Sequence, residues 1–267
     1  MAPSPTILLF DSGLGGLTVY REVAKARPDA RLVYAADDAF FPYGARGDSE
    51  LVERVVAVMD GLIASHHPDL VVVACNTAST IVLPDLRARF RVPFVGTVPA
   101  IKPACAASVS TLVSVLGTET TVRREYTRAL IRDFAQGCAV TLVGSPRLAE
   151  LTEAHFRGEP VADADILREI TPCFVETGGA RTDTIVLACT HFPLLLDRLG
   201  RLAPWPVNFI DPAPAIARRV TDLMGPAGGR EPSSPACLIF TSGRSPTPAL
   251  KAALTHFGLS ESTPAGV

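Results

Sequence analysis

Short apolar runs alternate along this chain with longer segments in which apolar residues recur every three or four positions. Residues 6–10 and 31–35 are runs of the first kind, and such runs predict buried strands. Residues 49–66 are of the second kind, because their apolar positions follow helical spacing: Leu51, Val55, Val58, Met59 and Leu62. Strands that alternate with amphipathic helices predict an α/β fold built on parallel sheets.

The alternation continues to the end of the chain. Further strands are predicted at 92–95, 111–116, 139–143, 206–210 and 236–240, and two more end at Cys75 and Cys189. Helices are predicted after residue 16 to about 27, from about 121 to 135, and at 77–90, 146–155, 164–177, 194–201, 211–224 and 248–257. Residues 225–235 begin with a cluster of glycine and proline and predict a flexible linker. The strand and helix beyond it are too small to fold alone, so we expect them to join the first lobe.

One apolar strand with a cysteine at its end occurs twice. The segment Val-Val-Val-Ala-Cys-Asn-Thr ends at Thr77, and Ile-Val-Leu-Ala-Cys-Thr-His ends at His191. When the two cysteines are aligned, Asp69 also aligns with Asp183. This repeat predicts two pseudo-symmetric open parallel-sheet lobes, residues 1–98 with 210–267 and residues 99–209. Because ligands of open α/β sheets bind at the carboxyl ends of strands, we expect the active site between the lobes.

A thiol at the end of a strand, where a helix begins, has an environment that favours its reactive thiolate form. The amide groups of a helix N-terminus stabilise the thiolate and lower its pKa from about 8.5. The alternative is that Cys75 and Cys189 are only core residues. The duplication, with polar residues after each cysteine, favours a functional role for both.

Composition narrows the class of protein. The chain has 267 residues, is 48% apolar and has a net charge of −2, so it has no sustained basic face for nucleic acid. No apolar run is long enough for a membrane span, and residues 1–5 do not resemble a signal peptide. The six cysteines form no C-x-x-C pair, so neither a zinc ribbon nor a redox motif is indicated. We expect a cytoplasmic protein with reduced thiols and without a metal.

The turn Gly13-Leu14-Gly15-Gly16 after the first strand partly fits a dinucleotide-binding motif, with Asp37 at the distance of a ribose ligand. Thr18 stands where the third glycine should be, and the charge of Asp11 would repel a pyrophosphate. We therefore disfavour a nucleotide cofactor. Short polar side chains at both strand ends instead predict a site for a small zwitterion, and they are Asp11, Ser12, Asn76, Thr77, Thr190 and His191.

Two thiols from related lobes suit one particular chemistry. One thiolate takes a proton from a stereocentre while the other thiol returns one from the opposite face, which inverts the configuration without a cofactor. A serine hydrolase is less consistent with the sequence because no G-x-S-x-G motif is present. A Cys-His hydrolase would use one cysteine and leave the second copy unexplained.

Several motifs, in order along the chain, resemble those of bacterial glutamate racemases. They are Phe-Asp-Ser-Gly-Leu-Gly-Gly-Leu at 10–17, Phe-Pro-Tyr-Gly at 41–44, Ala-Cys-Asn-Thr-Ala-Ser-Thr at 74–80, Thr-Val-Pro-Ala-Ile-Lys-Pro at 97–103, Gly-Thr-Glu-Thr-Thr at 117–121 and Ala-Cys-Thr-His-Phe-Pro at 188–193. The resemblance extends to about Arg219. It implies cofactor-independent interconversion of L- and D-glutamate for peptidoglycan synthesis.

The resemblance also implies roles for individual residues. Cys75 would act on D-glutamate with help from Asp11, and Cys189 on L-glutamate with help from His191, which Glu153 would orient. Structural alternatives remain open for Asp11, as a helix N-cap, and for Tyr43, as a packed turn residue. The implied substrate contacts are Asp11, Ser12, Pro42, Tyr43, Gly44, Asn76, Thr77, Thr118, Thr121, Thr190 and His191.

The segment before Pro42 departs from many family members. Asp38-Ala39-Phe40-Phe41 is more apolar and resembles the subgroup that a peptidoglycan precursor activates, so a muramyl-nucleotide activator is implied. Homodimers are also expected. Two alternatives remain: a racemase of a related substrate, aspartate or hydantoin, and a non-catalytic module that binds an amino acid. The residues alone do not fix the length of the substrate side chain.

Overall fold

A computed structural model describes residues 4–229 and 235–259. The chain divides into two compact units, Met1–Thr97 with Ala213–Val267, and Val98–Pro212. The strands are β1 (Thr6–Asp11), β2 (Arg31–Ala36), β3 (Leu70–Val73), β4 (Phe94–Gly96), β5 (Leu112–Thr118), β6 (Ala139–Ser145), β7 (Glu176–Thr177), β8 (Ala180–Arg181), β9 (Thr184–Ala188), β10 (Asn208–Ile210) and β11 (Cys237–Phe240).

Helices connect most of the strands. They are α1 (Leu17–Ala26), α2 (Asp48–His66), α3 (Asn76–Ser79), α4 (Leu83–Arg89), α5 (Ile101–Ala107), α6 (Glu119–Arg123), α7 (Glu125–Phe134), α8 (Leu148–Phe156), α9 (Asp163–Ile170), α10 (Leu196–Leu202), α11 (Ala213–Met224) and α12 (Pro248–Thr255). Short 3₁₀ turns occur at Tyr43–Ala45, Thr171–Cys173 and Phe192–Leu195. No helix in these described ranges is both long and apolar enough to cross a membrane.

Each unit contains one open sheet whose neighbouring strands are all parallel. The strand order is β11-β2-β1-β3-β4 in the first unit and β10-β9-β5-β6 in the second. Read from β2 to β4 and from β6 to β10, the two orders are the same, and the two cysteine strands, β3 and β9, occupy the same place. The predicted α/β class with parallel sheets is confirmed.

The central strands of each sheet are buried because helices cover them. Every residue of β3 and β9 is buried, which explains their continuous apolar sequences. The apolar face of α2 packs in the core of the first unit, where all five of its predicted core residues are buried: Leu51, Val55, Val58, Met59 and Leu62. The late strand β11 pairs with β2, so the segment after the predicted linker extends the first sheet.

Gly16 is required where the first turn meets the sheet. A Cβ atom there would lie 2.8 Å from the Cβ of Asp11 and 2.8 Å from the Tyr34 hydroxyl. Any other residue would therefore displace the end of β1. This close approach gives a structural reason for Gly16, since the sequence had disfavoured a nucleotide-binding role for its motif.

Three long predicted helices are wrong in their extent. The helix expected at 77–90 is two short helices separated by a turn, and Pro84 lies in the first turn of the second. The helix expected up to residue 135 is interrupted at Arg124, which is extended. The helix expected at 164–177 ends at Ile170, because a 3₁₀ turn with Pro172 and a two-stranded hairpin follow. Of the predicted linker, residues 230–234 lie outside the described residues.

The repeated aspartates lie at the amino ends of the cysteine strands and have structural roles. Asp69 accepts one hydrogen bond from the backbone N–H of Thr6, at 2.8 Å. Asp183 accepts four, from the hydroxyls of Ser108 and Thr184 and from two backbone N–H groups, at 2.6 to 3.0 Å. Burial acts to raise the pKa of Asp183, but these hydrogen bonds outweigh it and lower the pKa to about 2.

We predict that Asp183→Asn lowers the free energy of unfolding of the second unit at pH 7 by about 1 to 2 kcal/mol. The loss is modest because Asp183 is partly exposed and solvent weakens its interactions. Because the folded pKa of Asp183 is depressed, its contribution is present above the unfolded pKa, near 3.9, and is lost as the pH falls towards 2. Urea unfolding of wild type and variant at pH 7 and pH 3 measures this, and the gap should narrow at pH 3. Asp69→Asn, which loses a single bond, is the matched control and should cost less.

Candidate active site

Cys75 lies just beyond the buried strand β3, at the N-cap of α3, and is 5% exposed. The neighbouring strand β1 ends at Asp11, so Ser12 lies beside the cysteine. The Cys75 thiol donates to the Ser12 hydroxyl, with 3.7 Å between Sγ and Oγ. The first thiol therefore has a neutral hydroxyl as its hydrogen-bond partner.

Asp11 is fully buried and organises the turn after β1. Its Oδ2 accepts hydrogen bonds from the backbone N–H groups of Gly13, at 3.2 Å, and Gly16, at 3.1 Å. The N-cap of α1 is Gly16, and no side chain caps this helix, so Asp11 is not its N-cap and instead binds backbone N–H groups of the turn that precedes it. A catalytic role for this carboxylate stays a prediction.

Tyr43 belongs to the first cysteine cluster, which we define as Asp11, Ser12, Tyr43, Cys75 and Asn76. Its hydroxyl donates to Oδ2 of Asp37 at 2.7 Å. Burial raises the pKa of Tyr43 well above its ordinary value, and the charges of Asp37, Cys75 and Asp11 add to that rise. Tyr43 is thus a neutral donor within electrostatic range of the cysteine.

The remaining predicted residues of the first unit are close by. The 3₁₀ turn that contains Tyr43 and Gly44 contacts α3, and Pro42 precedes it, half-buried like Gly44. Asn76 is 2% exposed, and neither its amide nitrogen nor its amide oxygen has a hydrogen-bond partner among the described residues. Thr77 is buried beside it. An unpaired buried amide is costly, so it indicates a group that binds a ligand.

The second cysteine cluster, Cys189, His191 and Glu153, has a different character. Cys189 follows the buried strand β9 and is 6% exposed. Its Sγ lies 3.8 Å from Nδ1 of His191, and Nε2 of that ring lies 2.9 Å from Oε1 of Glu153. Glu153 comes from α8, and its other oxygen accepts from Nη2 of Arg157 at 3.0 Å. The second thiol therefore has an imidazole as its partner.

The charge of His191 depends on competing effects. Complete burial would lower its pKa, but hydrogen bonds to Cys189 and Glu153, together with their negative charges, raise the pKa well above its ordinary value. A protonated imidazole beside a thiol favours the thiolate. The sequence placed His191 next to Cys189, whereas the contact with Glu153 was implied only by the family resemblance.

Three threonines complete the predicted site residues of the second unit. Thr118 ends β5, beside the cysteine strand, in the place that Ser12 has beside Cys75. Its hydroxyl caps α6 by accepting from the N–H of Thr121 at 3.1 Å, and the two hydroxyl oxygens are 2.9 Å apart. Thr190 is buried between Cys189 and His191. All three are polar groups at the carboxyl edge of the sheet.

Sequence reasoning missed the importance of Asp37, which it weighed only as a ribose ligand. Asp37 is fully buried and accepts from Tyr43, from Arg54 and from Thr241. The available signal was its position directly after a predicted strand. The remaining cysteines are outside both clusters, and burial raises the pKa of Cys173 to about 12, in agreement with an inert thiol.

The chain matches the family of Asp/Glu/Hydantoin racemases over residues 14–220. It is 52% identical to the glutamate racemase of Brucella ovis over 262 residues, which cover 97% of this chain and 94% of that protein. It is also 52% identical to the glutamate racemase of Brucella anthropi over 255 residues, 95% and 92% of the two chains.

Solved structures of glutamate racemases are also similar to this chain. The Escherichia coli glutamate racemase, in complex with L-glutamate and the activator UDP-MurNAc-Ala, is 39% identical, with a TM-score of 0.88 and 97% of each chain covered. The Thermus thermophilus glutamate racemase, in complex with β-chloro-D-alanine, is 26% identical, with a TM-score of 0.74 and coverage of 100% and 99%. This chain belongs to the Asp/Glu/Hydantoin racemase family.

Proposed function

We propose that this chain is a glutamate racemase, an isomerase that interconverts L- and D-glutamate and supplies D-glutamate for peptidoglycan and thus for the cell wall and cell shape. The observation that carries the proposal is the duplicated strand-end cysteine, in which each thiol has its own polar partner. Identity of 52% to curated glutamate racemases over nearly the whole chain supports the same substrate.

Inversion of an α-carbon requires a proton to leave one face and another to arrive on the opposite face. In the D-to-L direction, the Cys75 thiolate takes the α-proton of D-glutamate while the Cys189 thiol delivers its own proton. The products are L-glutamate, a Cys75 thiol and a Cys189 thiolate, so protons and charges balance. The reverse direction exchanges the two roles. A single base would return the proton to the face from which it came.

The two thiols have different electrostatic settings. Protonated His191, held by Glu153 and through it by Arg157, stabilises the Cys189 thiolate that forms in the D-to-L direction and starts the L-to-D direction. Cys75 has the Ser12 hydroxyl and, nearby, the Asp11 carboxylate. A carboxylate disfavours a neighbouring thiolate, so Asp11 keeps Cys75 basic enough to remove the α-proton.

Binding of the zwitterion uses the buried polar groups at the strand ends. The side-chain amide of Asn76 supplies a donor and an acceptor, and the hydroxyls of Ser12, Thr77 and Thr190 lie at the same strand ends. Carboxylates accept bonds from such hydroxyls and amides, while the ammonium group is attracted to Asp11. Further contacts that we propose come from Pro42, Tyr43, Gly44, Thr118, Thr121 and His191.

Two other functions remain as alternatives. A racemase of aspartate or hydantoin would use the same thiols, because these substrates share the reacting α-carbon. A non-catalytic amino-acid-binding module would have no use for two thiols with different partners. Circular dichroism of the purified protein with L-glutamate and, separately, with L-aspartate tests the substrate directly.

We also propose the partners and location that accompany this activity. The apolar segment around Phe40 and Phe41 and the activated Escherichia coli relative support a muramyl-nucleotide activator. We propose a homodimer as the working assembly. None of the six cysteines, all within the described residues, forms a disulfide, which fits a reducing compartment, and we place the enzyme in the cytoplasm.

We predict that Cys75→Ala and Cys189→Ala each abolish racemisation of glutamate, in buffer that contains a metal chelator and no added cofactor. Each variant lacks one of the two proton carriers, so the rate should fall by at least about 10⁴-fold. The measurement is the loss of circular dichroism from L-glutamate and from D-glutamate. Cys173→Ala, a buried thiol outside both clusters, is the control and should remain active. Wild-type turnover in either active-site variant would exclude the two-base mechanism.

We predict that Asp11→Asn and His191→Asn lower kcat unequally in the two directions. Asp11→Asn should slow D-to-L more, and His191→Asn should slow L-to-D more, by about 10² to 10⁴ in the affected direction. The equilibrium constant is unity, so every asymmetry in kcat must be matched in KM. Initial rates from both enantiomers measure this. Equal losses in both directions would remove the assignment of one helper to each thiol.

We predict that UDP-MurNAc-Ala increases the racemisation rate in a saturable titration. An activator acts by binding the competent conformation more tightly, and a tenfold shift in population needs about 1.4 kcal/mol of differential affinity. UDP alone is the control, because it lacks the muramyl group. A rate that stays constant over the titration would contradict activation.

A further inference from the structure

We infer that the two residues after β11 position Tyr43, Thr241 by holding Asp37 and Ser242 by holding the adjacent Asp38, so that a late segment of the chain sets the geometry of the first cysteine cluster. The inference rests on the proposed function because Tyr43 is a proposed substrate contact. It gives a role to two residues to which the sequence analysis assigned none. Thr241, Ser242 and Asp37 are positioning residues.

Asp37 is the centre of this arrangement. The carboxylate is fully buried, and each of its oxygens accepts two hydrogen bonds. Oδ2 accepts from the Tyr43 hydroxyl at 2.7 Å and from Nε of Arg54 at 3.0 Å. Oδ1 accepts from the Thr241 hydroxyl at 2.5 Å and from Nη2 of Arg54 at 2.5 Å. Helix α2, the Tyr43 turn and the residue after β11 thus share one carboxylate.

Further bonds join the two loops. Ser242 donates to the Asp38 carboxylate from its backbone N–H, at 2.9 Å, and from its hydroxyl, at 2.5 Å. The backbone N–H of Ala39 donates to the Thr241 hydroxyl at 3.3 Å. The strands that lead into these loops are paired, and the N–H of Thr241 donates to the carbonyl of Ala36 at 3.0 Å. The position of Thr241 is therefore fixed by the sheet.

Loss of the Thr241 hydroxyl would affect Tyr43 through the carboxylate. A buried carboxylate that loses one of its donors reorients to recover the lost interaction, because an unsatisfied buried charge is costly. The Tyr43 hydroxyl shares that carboxylate and would move with it. Tyr43 in turn lies within the electrostatic range of Cys75, and its turn contacts α3. Two hydrogen bonds thus connect Thr241 to the first cysteine cluster, one from Thr241 to Asp37 and one from Tyr43 to Asp37.

A purely structural role for Thr241 makes a different prediction. In that case its hydroxyl would anchor β11, and the variant would lose stability without any change in substrate binding. The chain offers a matched control, Thr255, whose hydroxyl bonds only within its own helix, to the carbonyl of Lys251 at 2.9 Å. Thr241→Val and Thr255→Val remove the same hydroxyl group, the first from the residue after β11 and the second from the end of α12.

Steady-state kinetics and hydrogen exchange test the inference. Thr241→Val should raise KM for glutamate about tenfold, Thr241→Ser should restore it, and Thr255→Val should leave it unchanged. Thr241→Val should add little to KM once Tyr43→Phe is present, because both changes interrupt one path. Hydrogen exchange of the peptide that spans residues 37–45 should be faster in Thr241→Val and not in Thr255→Val.

Two results would overturn the inference. One is an unchanged KM and unchanged exchange in Thr241→Val, and the other is a full, additive effect on KM in the Tyr43→Phe background. A wild-type protein that does not racemise glutamate would contradict the proposed function, and the exchange of residues 37–45 would still decide whether Thr241 positions the Tyr43 turn. If Thr241→Val unfolds, Ser242→Ala provides the milder test, since it keeps the Asp37 contacts and the backbone bond to Asp38 and loses only the hydroxyl bond to Asp38. The inference then expects a smaller rise in KM and faster exchange of residues 37–45, and no change in either would overturn it.

Discussion

Burial of the parallel strands on both faces is the constraint on which the rest of this structure depends. Each unit covers its sheet with helices, so polar side chains are accommodated at the strand ends. Cys75 and Cys189 lie at such ends, after strands that are buried throughout. The polar groups around them are buried too, and each needs a partner from the protein or, for the amide of Asn76, from a ligand. The chemistry of both clusters follows from that requirement.

The two clusters share a topology and differ in electrostatics. In the first, a hydroxyl faces the thiol, and the nearby carboxylate of Asp11 is engaged by backbone amides. In the second, an imidazole beside the thiol is linked to Glu153 and then to an arginine. A duplicated scaffold therefore carries two different environments for the same functional group. A reaction that needs an acid and a base at once can use such a difference.

Asp37 shows how a buried charge can link several elements of a fold. Its carboxylate is paired with Arg54, and it also fixes the donor direction of Tyr43. The bonds from Thr241 and Ser242 bring the last strand of the sheet into the same network. Buried networks of this kind are rigid when every member has its partners. The late strand is thus more than an addition to the edge of the sheet.

The sequence by itself determined the α/β class, the two parallel sheets and the strand-end cysteines. These features are encoded locally, in apolar periodicity and in a repeated motif, and need no knowledge of distant contacts. The resemblance of its motifs supplied the family and the expected roles of Asp11, His191 and Glu153. Local pattern failed where a short turn interrupts a helix, as in the residues between α3 and α4, because helical spacing continues across the break.

Only the tertiary structure decided which distant groups pair. Thr241 and Asp37 are separated by 204 positions, and their contact exists because β11 lies beside β2. The repeated aspartates looked like part of the functional motif, yet they bind backbone and hydroxyl groups at the amino ends of their strands. Sequence similarity between the two copies could not distinguish the structural aspartates at the amino ends of the strands from the candidate site residues at the carboxyl ends. The direction of each strand in its sheet did, because in a parallel sheet the amino ends lie along one edge and the carboxyl ends along the other.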